Sequence, residues 1–328
     1  MLQRIFSGIQ PTGRPHLGNY LGAMRQHVAL SKDTAIESYF CVVDYHALTT
    51  IHDADALRTY TRGVILDYLA LGMDYHNATL FVQSAVPEHT ELSWILSNFL
   101  PVSRLAKVPT FKEKKAERPD DVNFGLMSYA VLMAADILMY GTTHVPVGID
   151  QVPHIEITRD LAKSFNAVHG EIFAIPEALL HKGTEKILGT DGVKKMSKSV
   201  GNTIEIFASP EETAKKVSSM VTDPLKIKKT DPGRPETCNV YSFHKLFSPA
   251  ENLSTICEGC KDGTLGCVAD KQALAQAIND SLSSFREKRE ELEAKPKNVD
   301  AIIAEGNKKA KDYATKMMTK VRKAVGLA

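Results

Sequence analysis

Residues 4–22 read RIFSGIQPTGRPHLGNYLG, and the way this stretch folds decides how the rest of the chain is read. RIFSGI (4–9) is the short apolar run of a buried strand, the Gly- and Pro-containing segment after it is a turn, and HLGNYLGAMRQHVALS (16–31) carries helical spacing. A strand that passes through such a loop into a helix lets a ligand approach the backbone. It also sets helix N-terminal amides and a side-chain donor against anionic oxygen. His16 and Asn19 lie three apart on the first turn and can point toward one ligand. Taken alone, the segment is equally an ordinary turn and helix cap.

The alternation continues outward from it. SYFCVV (38–43) reads as a second strand ending in Asp44-Tyr45-His46, and DADALRTYTRGVILDYLALG (53–72) as a helix. ATLFVQS (78–84) is a third strand, with a helix around 88–100 after it. An apolar helix covers about 126–140, THVPVG (143–148) is a fourth strand, and 150–167 is helical. Strands separated by helices predict an α/β fold, a Rossmann-like parallel sheet covered on both faces. Ligands of such sheets sit beyond the carboxyl ends of the strands, here the loops after Ile9, Val43 and Val147. Strand signals stop near residue 200, and helical patterns at roughly 240–247, 268–294 and 297–325 follow Pro-rich punctuation at 224–235. The reading is a nucleotide-binding domain over 1–200 and a C-terminal helical domain over 201–328, the last helix free to pack back on the first domain.

At 328 residues and 43% hydrophobic content the chain has ample material for such a core. No apolar run reaches the roughly 20 residues needed to span a bilayer. MLQRIFSGIQ lacks the pattern of a signal peptide, so a cytoplasmic location and no membrane partner are expected. The net charge of +1 decides nothing about nucleic acid. From Glu305 onward seven basic residues face two acidic ones, which suits phosphate or simply a solvated face.

Two segments carry the chemistry. GTDGVKKMSKSVGN (189–202) is bracketed by Gly189, Gly192 and Gly201 and shows no helical or strand period, which marks a mobile loop bearing lysines and serines. LMSYAVLMAADILMYG (126–141) is apolar almost throughout yet holds Asp136 in its middle, with Met133 and Tyr129 on the same face. A carboxylate there needs a donor. An indole N–H, which only donates, would serve, and so would a neighbouring backbone or serine group.

PHLGN resembles the HIGH signature of class I aminoacyl-tRNA synthetases, and KMSKS at 195–199 is identical to that class's second signature. SGIQPTG, DYHALT (44–49) and MAADILMYGTTHVPVGIDQVPHIEITRDLA (133–162) resemble the tryptophanyl-tRNA synthetase family, and the match runs over most of 4–222. The resemblance implies an enzyme that activates L-tryptophan with ATP and Mg²⁺ and passes it to tRNA(Trp), working as a homodimer. Lys195, Lys198, His16, Asn19 and Gln10 are its implied catalytic residues. ATP would be met by Gln10, Pro11, Thr12, Gly18, Asn19, Gly148, Ile149, Asp150, Ile187, Lys195, Met196, Ser197, Lys198 and Ser199. Tryptophan would be met by Asp136, Tyr129, Met133, Gln151, Gly8 and His46. Lys114, in TFKEKK (110–115), is either a phosphate-reaching residue of a second loop or part of a solvated charge run. Ile149 stands where the family is usually acidic, and Tyr45 where glutamine is common.

Such charges fit the reaction. Attack of a carboxylate on the α-phosphorus of ATP builds negative charge on phosphate oxygens and on the departing pyrophosphate, so catalysis is mostly positioning and electrostatic stabilisation. A tyrosine-specific enzyme of the same class, a small-molecule nucleotidyltransferase and a non-catalytic amino-acid or RNA sensor are the alternatives. The lone Asp136, the KMSKS loop with a full helical second domain, and the presence of His16, Lys195 and Lys198 weigh against them in turn.

Of five cysteines, Cys41 lies in an apolar strand, while Cys238, Cys257, Cys260 and Cys267 cluster in the helical part. One CxxC with irregular remaining spacing fits a double-CxxC zinc ribbon poorly and a [4Fe–4S] cluster at least as well. Zn²⁺ and free thiols stay open. A subset of bacterial tryptophanyl-tRNA synthetases carries such a cluster, and PETCNV, EGC and LGC resemble their ligand segments. By that resemblance Cys238, Cys260 and Cys267 are ligands. The usual fourth position is Asp270 here, so Cys257 is the expected substitute.

Overall fold

The computed structural model describes residues 3–117, 119, 122–180 and 187–327. Its centre is a five-stranded parallel sheet in the order β3-β2-β1-β4-β5. The strands are β1 (Gln3–Ile9), β2 (Ile36–Val42), β3 (Thr79–Val82), β4 (His144–Val147) and β5 (Glu177–Leu180). The order reverses between β1 and β4. A parallel sheet opens a crevice at such a switch point, beyond the strand carboxyl ends. Helices Glu88–Ser97, Phe124–Met139 and Val152–His169 supply much of the apolar cover, with Phe81, Leu92, Ala135, Ile155 and Phe165 buried among them. Glu88–Ser97 follows β3 and Val152–His169 follows β4, while Phe124–Met139, apolar almost throughout, precedes β4.

The chain divides into two compact units that do not break at residue 200. One comprises Met1–Gly13, Gln26–Gly183 and Leu292–Ala328, the other Arg14–Arg25 and Thr184–Glu291. The last helix, Pro296–Val325, belongs with the sheet. Its Gly306 lies against edge strand β3 so closely that a Cβ there would stand 1.8 Å from the Leu80 carbonyl oxygen. The neighbouring Asn307 Oδ1 accepts the Val82 N–H at 2.9 Å, which satisfies an edge donor that would otherwise be open to pairing. The PHLGN segment and the KMSKS loop fall together in the second unit.

Two sequence expectations change. β5, with the sequence EALL, was not foreseen, because Glu, Ala and Leu favour helix; pairing with β4 overrides the local preference. The 189–202 segment, expected to lack regular structure, carries a short turn at Lys198–Val200 and several backbone hydrogen bonds, as described below. No helix among the described residues is long and apolar enough to cross a membrane.

Candidate active site

In the first unit, helix Phe124–Met139 places Asp136 in the interior at 1% exposure. His46 Nε2 lies 2.8 Å from Oδ2, and His89 Nδ1 lies 2.6 Å from Oδ1. The Gln83 amide donates to Oδ1 at 2.7 Å and Oδ2 at 2.9 Å. Burial pushes the Asp136 carboxyl pKa up, but the hydrogen bonds from His46 and His89 outweigh it and the net direction is down. The carboxylate is charged and receives four hydrogen bonds.

The far side of His89 fixes its tautomer. Its Nε2 lies 2.7 Å from the Tyr140 hydroxyl. Burial raises the Tyr140 pKa well above its usual value, so the phenol keeps its proton and donates. His89 Nδ1 is then the protonated nitrogen that donates to Asp136. Tyr140 is in turn stacked between Phe6 and Tyr39, with ring centroids at 5.7 and 4.5 Å.

A cavity of about 140 Å³ opens beside this network, lined by Gln10, Phe111, Met127, Tyr129, Gln151 and His154 among others. Gln10, just past β1, donates to the Tyr129 hydroxyl at 2.8 Å. The Tyr129 pKa is pushed up to about 12, by burial first, with the Gln10 hydrogen bond opposing and the Asp136 charge adding. The His46 ring lies 4.2 Å from that of Tyr129. Of the residues expected to meet tryptophan, Tyr129 and Gln151 line this cavity, whereas Asp136 and His46 lie in the network behind it and Met133 and Gly8 are elsewhere. Met133 packs into the sheet-side core, and Gly8 serves close strand packing, since a Cβ there would meet Val43 Cγ1 at 2.9 Å. After β4, a single turn at Ile149–Gln151 leaves Ile149 80% exposed, and Gln151 donates to Asp150 at 2.9 Å. The backbone of Lys114 lies in helix Pro109–Glu117, but its side chain is outside the described part of the structure.

In the second unit, His16 and Asn19 cap one another. Asn19 N–H donates to His16 Nδ1 at 3.3 Å, and His16 N–H donates to Asn19 Oδ1 at 3.1 Å. With Nδ1 accepting, the neutral ring carries its proton on Nε2 and can donate from there. Burial, then the Lys198 and Lys195 charges, lower the His16 pKa to about 4. The lysines of KMSKS therefore act on His16 electrically. Leu17 N–H donates to Ile204 O at 2.9 Å and Ile206 N–H to Pro15 O at 3.2 Å, which straps this segment to the chain just past KMSKS. Gly18 is needed there, since a Cβ would stand 3.0 Å from the His16 ring and 3.3 Å from Met196 Cβ. Met196 is buried, whereas Lys195, Lys198 and Ser199 are exposed and Ser197 and Ile187 are half-buried.

The cysteines divide differently from expectation. Cys238 is buried, Cys257, Cys260 and Cys267 are half-buried, and Cys260 sits in the fields of Cys238, Asp270 and Cys267. Burial first, and then the neighbouring acidic and thiol groups against the opposing Lys226 charge, raise the Cys260 pKa. Among the described residues no three His, Cys, Asp or Glu side chains are gathered closely enough to hold a metal ion. Asp270 is buried and lies 3.1 Å from His244 Nε2.

Sequence reasoning missed Gln83, His89 and Tyr140. Gln83 directly follows β3, so the strand-end rule, applied to every strand and not three, would have flagged it.

The family model for tRNA synthetases class I (W and Y) matches residues 3–283. The tryptophan–tRNA ligases of Deinococcus radiodurans and Thermotoga maritima are each 42% identical, over 327 and 328 residues, covering 99% of this chain and 99% of theirs. The crystal structure of the Campylobacter jejuni tryptophanyl-tRNA synthetase, complexed with ADP and tryptophan, is 38% identical with a TM-score of 0.91. It covers 99% of this chain and 100% of its own.

Proposed function

The chain belongs to the class I tRNA synthetases of the W and Y family, and from that premise we infer how its residues divide the work. Its activity is that of a tryptophan–tRNA ligase. The tryptophan carboxylate attacks the α-phosphorus of ATP, the bond to pyrophosphate breaks, and the adenylate then yields its acyl group to the terminal ribose of tRNA(Trp). The alternatives raised by the sequence are set aside, because relatives alike over the whole chain are tryptophan ligases.

We assign the indole N–H to Asp136, and the observation that carries this is a buried, charged carboxylate next to an aromatic cavity. Because Asp136 already receives four hydrogen bonds, tryptophan takes the place of one donor. His46 is the one placed to leave: it adjoins Tyr129 of the cavity wall, and its Nδ1 has no hydrogen-bond partner among the described residues. Tyr129, Gln10 and Gln151 supply neutral oxygens and amides for the α-ammonium end. His16, through Nε2–H, and Lys195 and Lys198 are assigned to phosphate oxygens, with Ser197 and Ser199 as hydroxyl donors. Gln10 to Thr12, Gly18, Asn19, Gly148 to Asp150 and Ile187 complete the ATP contacts. Mg²⁺ arriving with the nucleotide would supply positive charge to the phosphate oxygens beside Lys195 and Lys198. The test is tryptophan-dependent ATP–pyrophosphate exchange with Asp136→Ala, in which tryptophan affinity falls and ATP affinity holds; equal loss of both contradicts the assignment.

For the cysteines we propose a bound metal held by Cys238, Cys260 and Cys267 with Cys257 as the fourth ligand, on the likeness of PETCNV, EGC and LGC to the ligand segments of the cluster-bearing enzymes; as they stand, the described side chains are not gathered for it. Anaerobic purification with iron, sulfide and zinc analysis separates the cases. About four irons and four sulfides mean a cubane cluster, about one zinc a thiolate zinc site, and neither returns the thiols to ordinary packing. We further propose a cytoplasmic homodimer, to be tested by sedimentation.

A further inference from the structure

The backbone that carries the KMSKS lysines is held by residues outside the signature. Asn202 is only 4% exposed. Its Oδ1 accepts the Ser197 N–H at 2.8 Å, and its Nδ2 donates to Asp191 Oδ2 at 3.0 Å and to Lys195 O at 3.4 Å. Its own carbonyl accepts the Thr190 N–H at 2.9 Å. Asp191 Oδ1 accepts the Val193 and Lys194 N–H groups, both at 3.1 Å. Leu188 and Lys195 form an antiparallel bridge, and Met196 N–H donates to Ile187 O at 2.9 Å. Gly189 makes room for the whole arrangement, because a Cβ there would lie 2.1 Å from the Asn202 amide.

We propose that Asn202 and Asp191 are positioning residues that clasp the loop and so fix Lys195 and Lys198 for the triphosphate. Neither touches the reacting atoms. An exposed lysine loses several rotatable bonds' worth of freedom when it binds phosphate, and holding its Cα in advance reduces that loss. While residue 191 is a carboxylate, position 202 must donate to it and accept from Ser197, which an amide does. A carboxylate at that place would set two negative charges about 3 Å apart, which is unfavourable.

The proposal rests on the assignment of the KMSKS lysines to phosphate, and the experiment separates the two. In ATP–pyrophosphate exchange, Asn202→Asp lowers the adenylation rate roughly tenfold, the scale of a lost buried hydrogen bond. Equilibrium tryptophan binding without ATP is unchanged, and trypsin cuts after Lys194, Lys195 or Lys198 faster. Adding Asp191→Asn to Asn202→Asp restores the amide–carboxylate pair with the partners exchanged and recovers most of the rate. A double variant as slow as the product of the single effects overturns the clasp, as does a loss of tryptophan affinity equal to the loss of rate. Lys195→Ala is run in parallel. If it alone is slow while Asn202→Asp behaves as the native protein does, the clasp is wrong and the lysine assignment stands. If Lys195→Ala keeps the native rate, the assignment beneath both has failed.

Discussion

Asp136 and the KMSKS loop fix charge in opposite ways. Asp136 is a charge enclosed in low dielectric and held by side chains from three other segments, 90, 53 and 47 residues away. Lys195 and Lys198 are exposed charges whose backbone is held by residues within eleven positions. An enclosed carboxylate discriminates, because leaving its donors or its ligand unpaired is expensive. Exposed lysines on a fixed backbone stabilise charge that develops during reaction while leaving the phosphates a way out. Specificity and rate thus rest on different physics.

The sharpest way to break this contrast is Asp136→Ala. It leaves His46, His89 and Gln83 without their acceptor, and tryptophan affinity should fall on the order of a hundredfold, the scale of a broken buried charged pair. Calorimetric titration checks it, with ATP affinity as the internal control. Next, Lys195→Ala or Lys198→Ala should lower the adenylation rate by about tenfold to a hundredfold while tryptophan affinity holds. A rate unchanged in either variant removes that lysine from the mechanism.

His16 sharpens the comparison through pH. Its folded pKa of about 4 lies below the ordinary 6.5. As pH falls through 6.5 the unfolded chain takes up a proton that the folded chain refuses. The stability tied to this group is therefore lost between about 6.5 and about 4, and is fully present above that window. Adenylation should show no His16 titration near neutrality. Lys198→Ala should move the His16 ring titration, followed by NMR, upward; no movement would mean that the loop does not act on His16. The smallest effect is that of salt. Raising ionic strength should weaken ATP binding several-fold through the exposed lysines and leave tryptophan binding at Asp136 almost untouched.

Much of this was legible in the chain itself. Four of the five strands and the PHLGN–KMSKS pair follow from apolar runs, turn residues and motif spacing. The start of helix Pro210–Ser218 is also marked in the sequence, by the Ser209–Glu212 capping box. The last helix belongs with the sheet because Gly306 and Asn307 suit the edge of β3, a fit between residues more than 200 positions apart that no local pattern carries. The same holds for the Asp136 donors. The sequence shows that a carboxylate in an apolar helix needs partners, and only the fold says which ones they are.

The central claim is that Asp136 reads the indole N–H, and one titration addresses it directly. Binding of L-tryptophan is compared with binding of its benzothiophene analogue, in which sulfur replaces the N–H, for the native protein and for Asp136→Ala. The account predicts a preference for tryptophan in the native protein that disappears in the variant. A preference that survives in Asp136→Ala would place the acceptor of the N–H elsewhere and contradict it.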